Sequence, residues 1–143
     1  LQGAALSVFL DTGFFVAFHN SRDVNHQRAV EIMEKLLTDE YGPIFTSEYV
    51  FDEAVTVALM RTGRHDLAVD LGNLILGIDH PKFVTILPIE EEIFNSTWST
   101  FKSYSKQGLS FTDCSSIALI RKLGIKSIVS FDRGFDGTLH RIK

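Results

Sequence analysis

A lone cysteine, Cys114, is the only thiol in this chain of 143 residues. It excludes an internal disulfide and a thiolate metal cluster, and it agrees with a reducing compartment. No apolar run comes near the roughly 18 residues that a bilayer crossing requires, so no membrane association is expected. The first residues lack a basic segment followed by an apolar block and a cleavage site, and a cytoplasmic location is the expectation. Also missing are low-complexity tracts, fixed-period repeats, and any His or Cys pair at the spacing of a zinc site. What remains is an ordinary globular composition, 45% hydrophobic and 22% charged, at a length that suits one domain over residues 1–143. Leu1-Gln2-Gly3, with no methionine before them, read as an expression remnant.

The net charge of −4 would discourage nucleic acid as a partner if it were evenly spread, and it is not. Residues 1–100 carry 6 basic and 15 acidic side chains, net −9, whereas residues 101–143 carry 8 basic and 3 acidic, net +5. Chance fluctuation in a small domain explains such an asymmetry about as well as a phosphate-binding region does.

Short apolar stretches alternate with helical periodicity. Leu6–Leu10 reads as a buried strand ended by turn chemistry at Asp11-Thr12-Gly13. Asp23 is placed to cap a helix through about Thr38, and Gly42-Pro43 breaks that pattern. Ile44–Thr46 is a second strand, with Ser47 capping a helix to about Thr62. A further helix covers Asp66–Leu76, and Phe83–Leu87 forms a third strand. The helix from about Glu90 to Tyr104 has three glutamates in its first turn, where the macrodipole favours them. Ser110 opens the next helix, which stops at Gly124. Ser127–Ser130 is a strand, Asp132–Gly137 a turn, and His140–Ile142 an edge strand. This order predicts an α/β fold: a central parallel sheet of 4–5 short strands with helices on both faces. Ligands of such sheets gather at the C-terminal ends of the strands.

Four acids stand out against that frame. Asp11 follows the first strand, and Asp132 follows the last long one, separated from it by Ser130-Phe131. Glu53 shares its helix face with Tyr49, Val50, Thr56 and Val57. Asp113 lies in a first helical turn, one turn before Ser116 and Ile117. Each has a plainer reading: Asp11 and Asp132 as turn residues, Asp113 as the acid of a capping box with Ser110, Glu53 as a half-exposed helical residue. Together they suggest carboxylates converging on one pocket, where unpaired burial is so costly that a cation is needed. Oxygen-only ligands select a hard ion, Mg2+ or Mn2+. The chemistry that such a site serves best is phosphodiester hydrolysis, with a carboxylate free to orient or deprotonate water.

These motifs resemble those of PIN-domain ribonucleases, in particular the small VapC-type toxins of toxin–antitoxin pairs. The resemblance rests on Val8-Phe9-Leu10-Asp11-Thr12, on Thr46-Ser47 through Asp52-Glu53, on Leu109-Ser110-Phe111-Thr112-Asp113 with its helix, and on Ile128 through Phe135. Asp23-Val24-Asn25-His26 followed by Ala29 is similar to a further family segment. The resemblance implies a Rossmann-like PIN fold, an RNA substrate, homodimers, and a partner antitoxin whose segment crosses the active site. It implies Asp11 and Asp113 as main metal ligands, Asp132 completing the cage, and Glu53 acting through water or on the nucleophile. Ser130 and Thr12 would hydrogen-bond a ligand or phosphate. Arg133, read from its place one residue after Asp132 rather than from the resemblance, is positioned to contact RNA phosphate, and a solvated turn arginine explains it equally well. Cys114, where the family has a small residue, departs from the pattern and leaves the carboxylate in place. Asp52 and Asp136 are read as solvent-facing, His26 as a capping or packing residue, and Phe94, Trp98 and Phe101 as core or dimer surface. The rival readings are a PIN nuclease of RNA processing and a PIN domain that binds RNA or scaffolds without turnover.

Overall fold

A computed structural model describes residues 5–104 and 108–143, so the proposed remnant at residues 1–3 lies outside the described part. Five parallel strands, β1 (Val8–Leu10), β2 (Ile44–Ser47), β3 (Thr85–Leu87), β4 (Ser127–Val129) and β5 (Arg141–Ile142), form one sheet in the order β3-β2-β1-β4-β5. Six helices connect them: α1 (Thr12–His19), α2 (His26–Leu37), α3 (Glu48–Thr62), α4 (His65–Leu76), α5 (Glu91–Ser103) and α6 (Phe111–Leu123). Parallel strands need crossovers, and these are right-handed almost without exception. The chain steps from β1 to β3 in one direction and returns past β1 to β4, so α1–α4 cover one face and α5–α6 the other. Among the described residues, no helix is long and apolar enough to cross a membrane.

The central strand β1 is fully buried. Val8 lies opposite both Ile44 and Ser127, and Phe9 opposite Phe45 and Ile128, which sets the register of β1 against its two neighbours. The buried Thr46 hydroxyl adds a side-chain bond across this pairing, donating to the Leu10 carbonyl at 2.9 Å. Phe14, Phe15, Ile32, Leu71, Ile75, Ile117 and Phe135 fill the space between sheet and helices. At roughly 2 kcal/mol for each large apolar side chain removed from water, this core is the main stabilising term.

Helix starts and stops follow local chemistry. The Ser47 hydroxyl accepts from the Val50 N–H at 3.2 Å and caps α3, and Gly63 at φ 67° ends that helix in the left-handed conformation that glycine adopts without strain. Two expectations are corrected. Thr12-Gly13 is not a turn but the start of α1, and Asp23 does not cap α2, whose first residue is His26. The Asp23 carboxylate accepts instead from the Asn25 N–H at 2.8 Å in a local turn that leads into the helix. The segment Asp132–Gly137, read as a turn, contains one 3-10 turn at Arg133–Phe135.

Candidate active site

Strand order reverses beside β1, and there the crossovers leave β1 and β4 in opposite directions, opening a crevice at their C-terminal ends. Asp11 leaves β1 at this place, and Ser130-Phe131-Asp132 leave β4. The ladder runs one bond further, with the Asp11 N–H donating to the Val129 carbonyl at 3.1 Å, so the two segments are held side by side.

One cavity of about 420 Å3 at this crevice is lined by all four suspected acids, Asp11, Glu53, Asp113 and Asp132, together with Thr12 and Ser110. Asp11 is only 4% exposed, and its side chain does not cap α1 although it occupies the cap position. The Ser130 hydroxyl donates to Asp11 Oδ2 at 2.7 Å, while Asp11 Oδ1 is buried without a hydrogen-bond partner. Burial pushes the Asp11 carboxyl up to about 7, and the charges of Asp113 and, less strongly, Glu53 push the same way. The bonds from Ser130 and from the Thr12 backbone pull against that rise.

Asp113, 8% exposed, is the acid of a complete capping box: Asp113 Oδ2 accepts from the Ser110 N–H at 3.0 Å and the Ser110 hydroxyl accepts from the Asp113 N–H at 3.0 Å. The plainer reading of this residue is therefore correct as far as it goes, and it coexists with a place in the cavity wall, since the box uses one carboxylate oxygen. Burial again raises its pKa, with Asp132 and Glu53 adding to the rise and the Ser110 bonds opposing it. Glu53 is half-buried on α3.

Asp132 differs from the expectation of a carboxylate out of place: it is exposed, and its Oδ1 accepts from the Gly134 N–H at 2.8 Å as the cap of the 3-10 turn. Ser130 ties the first and last acids together, because its hydroxyl also accepts from the Asp132 N–H at 3.0 Å. Ser130 itself is fully buried beneath the pocket. Thr12, 7% exposed, lines the cavity with its hydroxyl unpartnered. Arg133 faces a different, adjoining cavity.

Asp23, Asn25 and Arg61 also line the acid cavity and were not anticipated as site residues. Arg61 Nη1 lies 3.5 Å from Asp23 Oδ2. A signal existed: Val57 and Arg61 fall one and two turns beyond Glu53 on α3, so the face that presents Glu53 presents Arg61 as well. The other residues set aside behave as read or are corrected. Asp52 is exposed, and Asp136 is exposed and paired with Arg141. His26 Nδ1 is 2.8 Å from the Ala17 carbonyl, joining α2 to α1, and Cys114 is buried in the core. Phe94 and Trp98 are 48% and 51% exposed, which removes the core reading for both. Each extends an aromatic cluster outward, Phe94 against Phe111 and Trp98 stacked on Phe101.

Among the described residues, no three His, Cys, Asp or Glu side chains are close enough to enclose an ion unaided. The donor set nonetheless suits a hard cation: all its ligands are oxygens, one buried carboxylate oxygen has no partner, and burial together with the Asp113 charge raises the Asp11 pKa. An ion that keeps part of its water shell, as Mg2+ does, matches carboxylates spread around a cavity of this size.

Residues 8–138 match the family model of the PIN domain. The chain belongs to this family. Among curated PIN-type relatives it is 25% identical over 132 residues to a VapC ribonuclease of Archaeoglobus fulgidus, a match covering 91% of this chain and 80% of that protein. It is 27% identical over 128 residues to the 23S rRNA-specific endonuclease VapC20 of Mycobacterium tuberculosis, covering 90% of this chain and 91% of the other. The crystal structure of M. tuberculosis VapC20, described as a Sarcin-Ricin loop cleaving toxin, superposes with a TM-score of 0.76 at 26% identity, over 90% of this chain and 92% of that one. VapBC2 from Rickettsia felis, in a crystal structure bound to a DNA fragment from their promoter, shares the fold, with a TM-score of 0.66 at 13% identity over 96% of this chain and 98% of that one.

Proposed function

We propose that this single PIN domain is an endoribonuclease dependent on Mg2+ or Mn2+, and that it is the toxin of a toxin–antitoxin pair. The observation that carries the reading is the shared cavity: four carboxylates from four separate segments, one of them held near a pKa of 7 by burial and by its acidic neighbours. A binding module would gain nothing from this arrangement, because clustered negative charge repels phosphate. Likeness to relatives named as ribonucleases supports the same conclusion.

Asp11 and Asp113 would hold the cation, with Asp132 and Glu53 completing its surroundings. Once bound, the ion supplies positive charge for the scissile phosphate and makes a coordinated water more acidic. Ser130 fixes the Asp11 carboxylate through Oδ2 and leaves Oδ1 without a protein partner. Glu53, half-buried on the cavity wall, is the group to orient the attacking water and accept its proton. The Thr12 hydroxyl stands at the N-terminal end of α1, where the helix dipole and an unpartnered donor favour a phosphate oxygen.

A homodimer is the expected assembly, and the outward-facing Phe94 and Trp98 on α5 support it. The antitoxin would be a protein segment laid across the same cavity, with a cation of its own to meet the acids. The test is incubation of the purified protein with labelled single-stranded RNA and manganese. Cleavage that EDTA removes, and that a co-expressed partner from the neighbouring gene suppresses, is the expected result. Intact RNA under all conditions overturns the nuclease assignment.

A further inference from the structure

The acid cavity cannot by itself attract RNA, because its carboxylates repel phosphate wherever the cation does not neutralise them. Affinity has to come from its flanks. On one side, sharing Asn25 and Phe131 with the acid cavity, lies a second cavity of about 330 Å3 lined by Arg28, Arg133, Arg141 and Lys143. Its volume is at the small end of the range that holds small-molecule ligands.

This cavity is constructed rather than incidental. The Arg141 guanidinium, with its side chain only 5% exposed, is fixed by two bonds to Asp136, at 2.7 and 2.9 Å, and by a third to the Ser130 carbonyl at 3.1 Å. The Ser130 carbonyl belongs to the residue whose hydroxyl holds Asp11, so the position of the basic wall is coupled to that of the first carboxylate. Arg28 is steadied by a bond from its Nε to the Lys143 carbonyl at 2.9 Å and by an exposed pair from its Nη1 to Glu31 at 3.3 Å. Arg133 has no ion-pair partner among the described residues and keeps its charge for a ligand. Phe131 is half-buried and lines both cavities, which places an aromatic ring at their junction.

Another cavity, which shares Val16 and Arg61 with the acid cavity, offers Arg22, Arg61 and Arg64 but no Phe, Tyr or Trp ring. Cations at fixed positions next to an aromatic ring are the combination that binds single-stranded nucleic acid: backbone charge plus base stacking.

We propose that the Arg28–Arg133–Phe131 cavity is the subsite for the nucleotide adjoining the scissile phosphate of single-stranded RNA, with Arg133 and Arg28 on its phosphate and Phe131 against its base. The inference rests on the ribonuclease reading for the identity of the ligand, and its test does not need turnover. Binding of a fluorescent single-stranded RNA is followed by anisotropy in EDTA across a series of salt concentrations. Arg133→Ala is expected to weaken binding and to lower the slope of log affinity against log salt by about one, and Arg133→Lys to restore that slope. Phe131→Ala is expected to weaken binding about tenfold with the slope unchanged. Arg133 is exposed, so its variants will fold, and a melting curve checks Phe131→Ala. Wild-type affinity and salt slope in Arg133→Ala overturn the subsite, as does a preference of this surface for duplex DNA or an acidic peptide over the RNA. Failure of the wild-type protein to cleave RNA with manganese, when these binding effects are present, overturns the nuclease reading and leaves the subsite standing.

Discussion

The Ser130 hydroxyl lies 2.7 Å from Asp11 Oδ2, a buried bond between the end of β4 and the end of β1 that joins two residues far apart in the chain. Its removal in Ser130→Ala leaves a buried acceptor without a donor. The expected cost is about 1–3 kcal/mol of folding stability, together with a further rise in the Asp11 pKa, since this bond lowers it. Urea denaturation at neutral pH checks the first effect. Unchanged stability would mean that the bond does not hold the carboxylate.

Asp11 also makes a signed prediction for pH. Its pKa in the folded protein is raised to about 7 from the ordinary 3.8, so the metal-free protein binds a proton that the unfolded chain has already released. Stability from this group is complete below the ordinary carboxylate range and is lost as pH rises through about 7, a loss on the order of a few kcal/mol. Asp11→Asn cannot ionise and should escape it. Melting curves in EDTA between pH 4 and pH 8 should show wild type falling relative to Asp11→Asn, with the gap levelling off above about pH 7. Parallel curves would refute the raised pKa.

Cation binding should reverse that loss. Saturating Mn2+ at pH 7.5 is expected to raise the melting temperature of the wild-type protein by several degrees, since a ligand at 100 times its Kd contributes about 2.7 kcal/mol. The same addition should do little to Asp11→Asn or Asp113→Asn. An equal rise in all three proteins would place the ion elsewhere.

Arg61 separates stability from function. Its pair with Asp23 is long, 3.5 Å, and the Arg61 side chain is 61% exposed, so Arg61→Ala should cost well under about 1 kcal/mol in denaturation. Because Arg61 lines the acid cavity, the same variant should raise KM for RNA severalfold with little change in kcat. A large loss of stability with normal KM would make the residue structural instead.

Much of this protein is legible from residue order alone, and the failures have physical causes. The alternation of short strands and helices reveals the parallel sheet because each element has its own periodicity. Helix α1 is hidden because Phe14, Phe15, Val16 and Ala17 are all buried. A helix that is apolar nearly all round leaves no polar face for a 3.6-residue pattern to show. The Asp11-Thr12-Gly13 stretch then reads as a turn. Asp23 reads as a cap because the same side-chain geometry serves an Asx turn, here to the Asn25 N–H. The site acids are legible through their positions after strands and on apolar helix faces. Arg61 is legible only through its helical spacing from Glu53, and Asn25 is not legible at all, since nothing in a local window says that the turn before α2 meets α3 at one cavity.

The most direct measurement is single-turnover cleavage of labelled single-stranded RNA in manganese by wild type, Asp11→Asn, Glu53→Gln, Asp113→Asn and Asp132→Asn, with folding of each variant checked by circular dichroism. Carboxylates acting as a unit around one ion should each lower the rate at least about 100-fold when neutralised, with EDTA reducing wild type to the same level. Wild-type rates in folded Asp11→Asn and Asp113→Asn, or cleavage indifferent to EDTA, would contradict a shared cation centre.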